Sequence, residues 1–147
     1  MTSSSKARAA ARLGAVQALY QHDMEATRIA TLLDEFHRHR LGAEIEDMQF
    51  IDAEVSFFDD VVQGVIARRD EVDAMVTSKL ADGWKLERLD KAMLQILRCG
   101  TYELIARADV PTGTVINEYL DVAHAFFDAR EAKFVNGMLD AVAKAVR

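Results

Sequence analysis

Hydrophobic residues recur along this chain at intervals of three and four, the spacing of helices with one buried face. The first such stripe predicts a helix from about Lys6 to Gln21, with Ser5 as its cap. Strand-like alternation does not recur, so the pattern predicts an all-α fold, a compact bundle of about six to seven helices. The stripes comprise Leu13, Val16 and Tyr20; Ile29, Leu32, Leu33 and Phe36; Val55, Phe58, Val62, Val65, Val72 and Val76; Leu94, Leu97, Thr101, Leu104 and Ile105; Val115, Ile116, Tyr119, Leu120, Ala123 and Phe127; and Phe134, Met138, Leu139 and Val142.

Few segments interrupt these stripes. Asp82-Gly83 breaks the chain after the third stripe, which is expected to be one long helix, and Pro111 lies in a loop before the fifth. Residues 1–5 are expected to form a flexible tail, and the acidic stretch 40–50 a flexible connection. We therefore expect a single domain over residues 1–147.

Four of the seven glycines fall inside predicted helices: Gly14, Gly64, Gly100 and Gly137. A glycine there costs about 1 kcal/mol relative to alanine. Tight helix crossing would compensate for that cost. At Gly137, close approach of a ligand to the backbone is a second explanation.

Composition excludes several classes of protein. Half of the 147 residues are hydrophobic and 29% are charged, which is typical of a globular domain. There is no apolar run of membrane-spanning length and no signal peptide, which predicts a cytoplasmic protein without a membrane partner. The single cysteine, Cys99, excludes an internal disulfide and is expected in the core.

Catalytic and metal-binding patterns are missing from the sequence. No glycine-rich phosphate loop follows a strand, and His37 and His39 lie two residues apart, so they point to different sides of a helix. We expect no enzyme, no catalytic residue, no cofactor and no metal site.

The net charge of −6 is unevenly distributed. Residues 1–22 carry three basic residues and no acidic one, whereas residues 23–63 carry eleven acidic residues against three basic ones. This contrast suggests two surfaces for two kinds of partner, although an ordinary charged surface would look the same.

Basic residues are concentrated at two helix starts. Arg8 and Arg12 are four apart and project from one face, near Lys6. Arg130 and Lys133 lead into Lys133-Phe134-Val135-Asn136-Gly137, which combines a cation, an aromatic ring and an amide. These groups bind single-stranded RNA through phosphate charge, base stacking and base-edge hydrogen bonds. The alternative is that Phe134 is core, Lys133 is solvated and Gly137 only packs.

Five segments occur in a fixed order over about 140 residues: Val16-Gln17-Ala18-Leu19-Tyr20, Trp84-Lys85-Leu86-Glu87-Arg88-Leu89, Ile96-Leu97-Arg98-Cys99-Gly100-Thr101-Tyr102-Glu103-Leu104, Val115-Ile116-Asn117-Glu118 and Lys133-Phe134-Val135-Asn136-Gly137. Together they make the chain resemble the bacterial NusB family of transcription antitermination factors. The resemblance implies two packed helical subdomains. It also implies binding, with the ribosomal protein NusE, to the boxA element of nascent RNA within the RNA polymerase antitermination complex, together with other Nus factors and notably on rRNA.

The resemblance also assigns residues to these partners. The RNA-binding set comprises Lys6, Arg8, Arg12, Gln17, Lys133, Phe134 and Asn136, and the basic pair at the start of the last helix adds Arg130. The NusE-binding set comprises Tyr20, Glu87 and Met93. Relatives often carry more arginines in the first helix, where this chain has Ala9 to Ala11, and an acid in place of Met93.

Three alternatives stay open beside this interpretation. NusB-like domains also begin some rRNA 5-methylcytosine methyltransferases, but we expect a stand-alone domain because no cofactor-binding domain follows Arg147. A pure protein-interaction bundle would leave the basic residues as solvated surface. Homodimerisation could hide the RNA-binding face.

Overall fold

The described part of the chain is mostly helical. The computed structural model describes residues 3–37 and 48–147, and the side chains of residues 6–37 and 55–147. Within these ranges there is no strand, which confirms the predicted all-α fold. The helices are α1 (Ser3–Glu25), α2 (Ile29–Phe36), α3 (Met48–Ala67), α4 (Arg69–Lys79), α5 (Lys91–Ala106), α6 (Thr112–Phe126) and α7 (Ala129–Val146), with a 3-10 turn at Leu86–Arg88.

The predicted helix boundaries differ from the structure at α1, which runs from Ser3 to Glu25 and not from about Lys6 to Gln21, and in the third stripe. Helix α1 begins at Ser3, so Ser5 lies within its first turn, and the expected tail is left with residues 1 and 2, outside the described part. The third stripe is not one helix, because Arg68 leaves helical geometry at φ −109° and ψ 24°. Val65 and Val72, on either side of Arg68, are both buried, so their spacing of seven hides the break. The expected connection at 40–50 lies mostly outside the described residues.

The chain divides into two compact units, residues 1–64 and residues 65–147. In the first unit, α1 contacts α2. The buried residues of α1 include four alanines, Ala7, Ala11, Ala15 and Ala18, and Leu19. The Phe36 and Phe58 rings stack with their centroids 5.4 Å apart. Tyr20, expected on the buried stripe of α1, is instead exposed, because small residues carry that stripe.

In the second unit, α5 is the central helix and contacts α4, α6 and α7. Every residue from Met93 to Leu104 is buried. The Arg98 guanidinium donates two hydrogen bonds, of 2.8 and 2.9 Å, to the carboxylate of Asp73 on α4. Asp90 caps α5 by accepting from the backbone N–H groups of Ala92 and Met93.

The last residue of the chain ties α7 to the connection between α5 and α6. The Arg147 guanidinium donates to the backbone carbonyls of Leu104, Val110, Glu103 and Arg107, and to Oγ1 of Thr112. The Leu104 carbonyl lies in the last turn of α5, where backbone acceptors lack intrahelical donors. The carbonyls of Glu103 and Arg107 also accept from the backbone N–H groups of Arg107 and Val110. The Arg147 side chain therefore supplies a donor to the Leu104 carbonyl and a further donor to the other two.

Candidate nucleic-acid interface

Two arginines of α1 share one aromatic ring of α3. The guanidinium carbon of Arg8 lies 4.6 Å from the centroid of the Phe57 ring, and that of Arg12 lies 4.8 Å from the same centroid. The i,i+4 spacing of the arginines places both on the face of α1 that meets this ring. Cation–π attraction then holds the two guanidinium groups in place.

The two arginines differ in how much surface they offer. Arg12 is only 2% exposed, whereas Arg8 is half-buried and Lys6 is exposed. Gln17 is also half-buried. Because Arg12 has almost no accessible surface, it offers little direct contact to a ligand. Its guanidinium group instead holds the Phe57 ring and the neighbouring side chains in position.

Helix α7 begins with a well-formed cap that orients the second basic segment. The Asp128 carboxylate accepts hydrogen bonds from the backbone N–H groups of Arg130 and Glu131, at 3.0 and 3.4 Å. This cap satisfies two of the donors that a helix start leaves open, and it sets the first turn. The Arg130 side chain is consequently carried on a fixed, exposed turn.

The face of α7 that points away from the core carries cations around an aromatic ring. Ala132 and Val135 are buried, while Arg130 and Lys133 are exposed and Phe134 is 39% exposed. The interpretation of Phe134 as a core residue is therefore wrong. We call the exposed residues Arg130, Lys133, Phe134, Asn136 and Gly137 the α7 surface.

Gly137 occupies open space on the α7 surface. A Cβ atom built on it would meet no heavy atom within 4 Å. The prediction that Gly137 marks a close helix crossing is therefore wrong. Gly100 does mark one, because a Cβ there would lie 2.8 Å from Cδ2 of Leu139 on α7.

The residues assigned to the protein partner are exposed to different degrees. Tyr20 on α1 is 41% exposed, and Glu87 lies exposed on the 3-10 turn. Met93, at the start of α5, is only 5% exposed. A residue with so little surface supports neighbouring side chains and offers little direct contact.

Phe126 is an exposed aromatic residue that the sequence pattern missed. It ends α6, is 43% exposed, and its ring centroid lies 6.3 Å from that of the half-buried Phe127. In the helix that the sequence predicts through Phe127, consecutive residues point about 100° apart. Since a buried stripe can accept only one of two adjacent rings, the Phe126-Phe127 pair itself signalled one exposed aromatic.

Cys99 is buried at the centre of α5. Burial raises the pKa of its thiol, the charge of Glu103 raises it further, and Arg98 opposes both. The neutral thiol is a poor nucleophile. Among the described residues no group of three or more His, Cys, Asp or Glu side chains could hold a metal ion, and no helix there is long and apolar enough to cross a membrane.

Comparison with known proteins gives consistent matches over the whole chain. The model of the NusB family matches residues 9–144. The transcription antitermination protein NusB of Novosphingobium aromaticivorans is 71% identical over 144 residues, covering 98% of this chain and 97% of that protein. The protein of the same name from Sphingopyxis alaskensis is 63% identical over 147 residues, covering 100% of this chain and 99% of that protein.

A solved structure matches the fold at lower sequence identity. It is a crystal structure of the antitermination factors NusB and NusE in complex with double-stranded RNA. One of its chains has a TM-score of 0.81 and 25% identity to this chain, covering 95% of this chain and 98% of that one.

Proposed function

The chain belongs to the NusB family of transcription antitermination proteins, and we propose that it binds the boxA element of nascent RNA together with NusE. Bound in this way, it joins the antitermination complex on RNA polymerase with other Nus factors, notably during rRNA transcription in the cytoplasm. The protein acts by binding and carries out no chemical reaction.

The observation that carries this proposal is the outward position of Phe134 between cations. A 39% exposed phenyl ring gains nothing from water, whereas an unpaired base can stack on it. Arg130 and Lys133, exposed on the same side of α7, supply charge for the phosphates on either side of such a base. Exposed Asn136 adds an amide that can read a base edge.

Helix α1 contributes charge and order. Lys6 and Arg8 are accessible and contact phosphate, and Gln17 adds a polar contact. Arg12, buried against Phe57, acts as a positioning residue that holds Arg8 and the Phe57 ring. The RNA-binding set therefore contains four accessible cations and one structural one.

NusE contacts Tyr20 and Glu87 in this proposal, and Met93 supports the α5 start from within. Tyr20→Ala and Glu87→Ala should each weaken NusE binding in the absence of RNA, measured by calorimetry. Tyr20 is the larger contact, because a 41% exposed aromatic ring buries more area than a carboxylate. Unchanged NusE affinity in both variants would refute this assignment.

A titration with fluorescent RNA tests the proposed function. Single-stranded boxA RNA, a scrambled strand and a boxA duplex are each titrated with the protein alone and with NusE. We expect selective binding of the single boxA strand that NusE strengthens, because stacking needs unpaired bases. Equal affinity for all three RNAs, or no binding with NusE present, would refute the proposal and favour a pure protein-interaction bundle.

Two exposed aromatic residues provide the matched variants. Phe134→Ala should weaken boxA binding by about 1–3 kcal/mol if one base stacks on the ring. Trp84→Ala removes a ring that is 54% exposed but lies outside the RNA-binding set, so it should leave RNA affinity unchanged. Equal affinity for Phe134→Ala and the wild type would remove the α7 surface from the interface.

The salt dependence of RNA affinity reports the number of phosphate contacts. Four accessible cations on single-stranded RNA predict a slope of log K against log salt of about −2.8, at about 0.7 per contact. Counting the buried Arg12 as well would predict a slope of about −3.5.

Sedimentation with and without RNA reports whether a homodimer competes for the same surface.

A further inference from the structure

Gly137 is an unfavourable residue for the interior of a helix, and no close packing contact requires a glycine there. It lies inside α7, at residues Ala129–Val146, where glycine is the least favourable residue apart from proline. A Cβ atom at this position would have no obstructing neighbour within 4 Å. Sites where a sequence departs from local preference without a structural gain are often functional.

The position of Gly137 relative to its neighbours indicates what its missing side chain leaves open. It follows Phe134 by three residues and Lys133 by four, so all three adjoin on the helix surface. A helical side chain leans towards the N-terminus and covers the turn before its own Cα. Any side chain at 137 would therefore lie over the turn that carries Phe134 and Lys133.

We propose that Gly137 keeps the flank of the Phe134 ring uncovered, so that a single RNA strand can lie against the backbone of α7 while one base stacks on the ring. The ligand class is unpaired RNA, whose ribose and base need a smooth surface beside the aromatic ring. This inference rests on the proposed function and adds a residue that acts by having no side chain.

Gly113 provides a matched control within the same compact unit. It is exposed in the first turn of α6, and a Cβ there would also meet nothing within 4 Å. It has no exposed aromatic residue one turn before it. The two glycines therefore differ in what adjoins them and not in available space.

The test compares four variants, Gly137→Ala, Gly137→Leu, Gly113→Ala and Gly113→Leu, with the wild type. Affinity for single-stranded boxA RNA in the presence of NusE and the midpoint of thermal unfolding are measured for each. Alanine and leucine are strong helix formers, and leucine also packs on an aromatic side chain three or four residues away. We expect no variant to unfold at a lower temperature than the wild type.

RNA affinity is expected to fall with side-chain size at position 137 and to stay unchanged at position 113. Gly137→Ala should weaken RNA binding about two- to threefold, and Gly137→Leu at least about tenfold, the loss expected when one stacked base is displaced. Both Gly113 variants should bind like the wild type. Wild-type affinity in Gly137→Leu, or a lower unfolding midpoint in either Gly137 variant, would overturn the inference.

Phe134→Ala separates this inference from the proposed function. If Phe134→Ala loses affinity while Gly137→Leu does not, the RNA surface stands and the role of Gly137 is wrong. If the wild type itself shows no selective RNA binding, the proposed function fails and the role of Gly137 fails with it.

Discussion

Replacing Gly100 with alanine would place a methyl group 2.8 and 2.9 Å from the two Leu139 Cδ atoms and 3.4 Å from Cδ2 of Tyr119. Leu139 and Tyr119 are fully buried, so neither side chain can move into solvent to relieve the contact. Because both methyl groups of Leu139 lie close to the new atom, rotating the side chain exchanges one clash for another.

Two opposing effects set the magnitude. Alanine is favoured over glycine inside a helix by about 1 kcal/mol. Overpacking a close-packed core costs typically about 1–3 kcal/mol. We therefore expect Gly100→Ala to lower the free energy of unfolding by up to about 2 kcal/mol, despite its better helix propensity.

A double-mutant cycle isolates the clash. Leu139→Ala alone should cost about 2–5 kcal/mol because it leaves a cavity. In that background the obstructing Cδ atoms are gone, so Gly100→Ala should now stabilise by about 1 kcal/mol. Urea denaturation followed by far-ultraviolet circular dichroism measures all four proteins. If Gly100→Ala has the same effect in both backgrounds, within about 0.5 kcal/mol, the close crossing of α5 and α7 does not hold.

Further predictions concern the second compact unit. Arg147→Ala should speed amide exchange between Leu104 and Thr112, because it removes hydrogen-bond donors from the carbonyls there. Hydrogen-exchange mass spectrometry measures this, and unchanged exchange would refute the stabilising role of Arg147. Asp73→Asn should lower the free energy of unfolding, measured with denaturant, by about 1–3 kcal/mol because it weakens a largely buried ion pair with Arg98. A change within about 0.5 kcal/mol, the usual range for surface positions, would contradict this prediction. The thiol of Cys99 has a raised pKa in the folded state, so the unfolded chain loses its proton first as pH rises. The wild type should therefore lose stability relative to Cys99→Ala as pH rises above the ordinary pKa of 9.0. Parallel pH profiles for the two proteins would exclude the effect.

Periodicity alone was enough to predict the class of fold. Spacing of three and four between apolar residues follows from the geometry of one helix and needs no partner. Periodicity could not reveal the break at Arg68, because Val65 and Val72 keep the apolar interval across it. It also misplaced Tyr20, because alanines are too small to dominate a hydrophobicity pattern even when they form the buried face.

The chemical groups of the candidate interface could also be predicted from the sequence. Lys133, Phe134 and Asn136 combine charge, ring and amide within four residues, and a local segment needs no fold to bring its members together. Their assignment to RNA, like that of Tyr20, Glu87 and Met93 to NusE, stays a prediction until the binding experiments are done. The structure adds Phe126 as an exposed aromatic residue and removes most of the accessible surface of Arg12 and Met93.

Exposure and close contact were decided only by the tertiary structure. The sequence determined that Arg12 and Gly137 lie on helices, yet not that Arg12 is buried under a ring 45 residues further along the chain, or that Gly137 is open while Gly100 is tightly packed. Helical spacing defines which residues share a face, whereas burial depends on which distant element covers that face. The sequence thus specified the helices and the chemistry they carry, and packing between remote segments selected which groups face solvent.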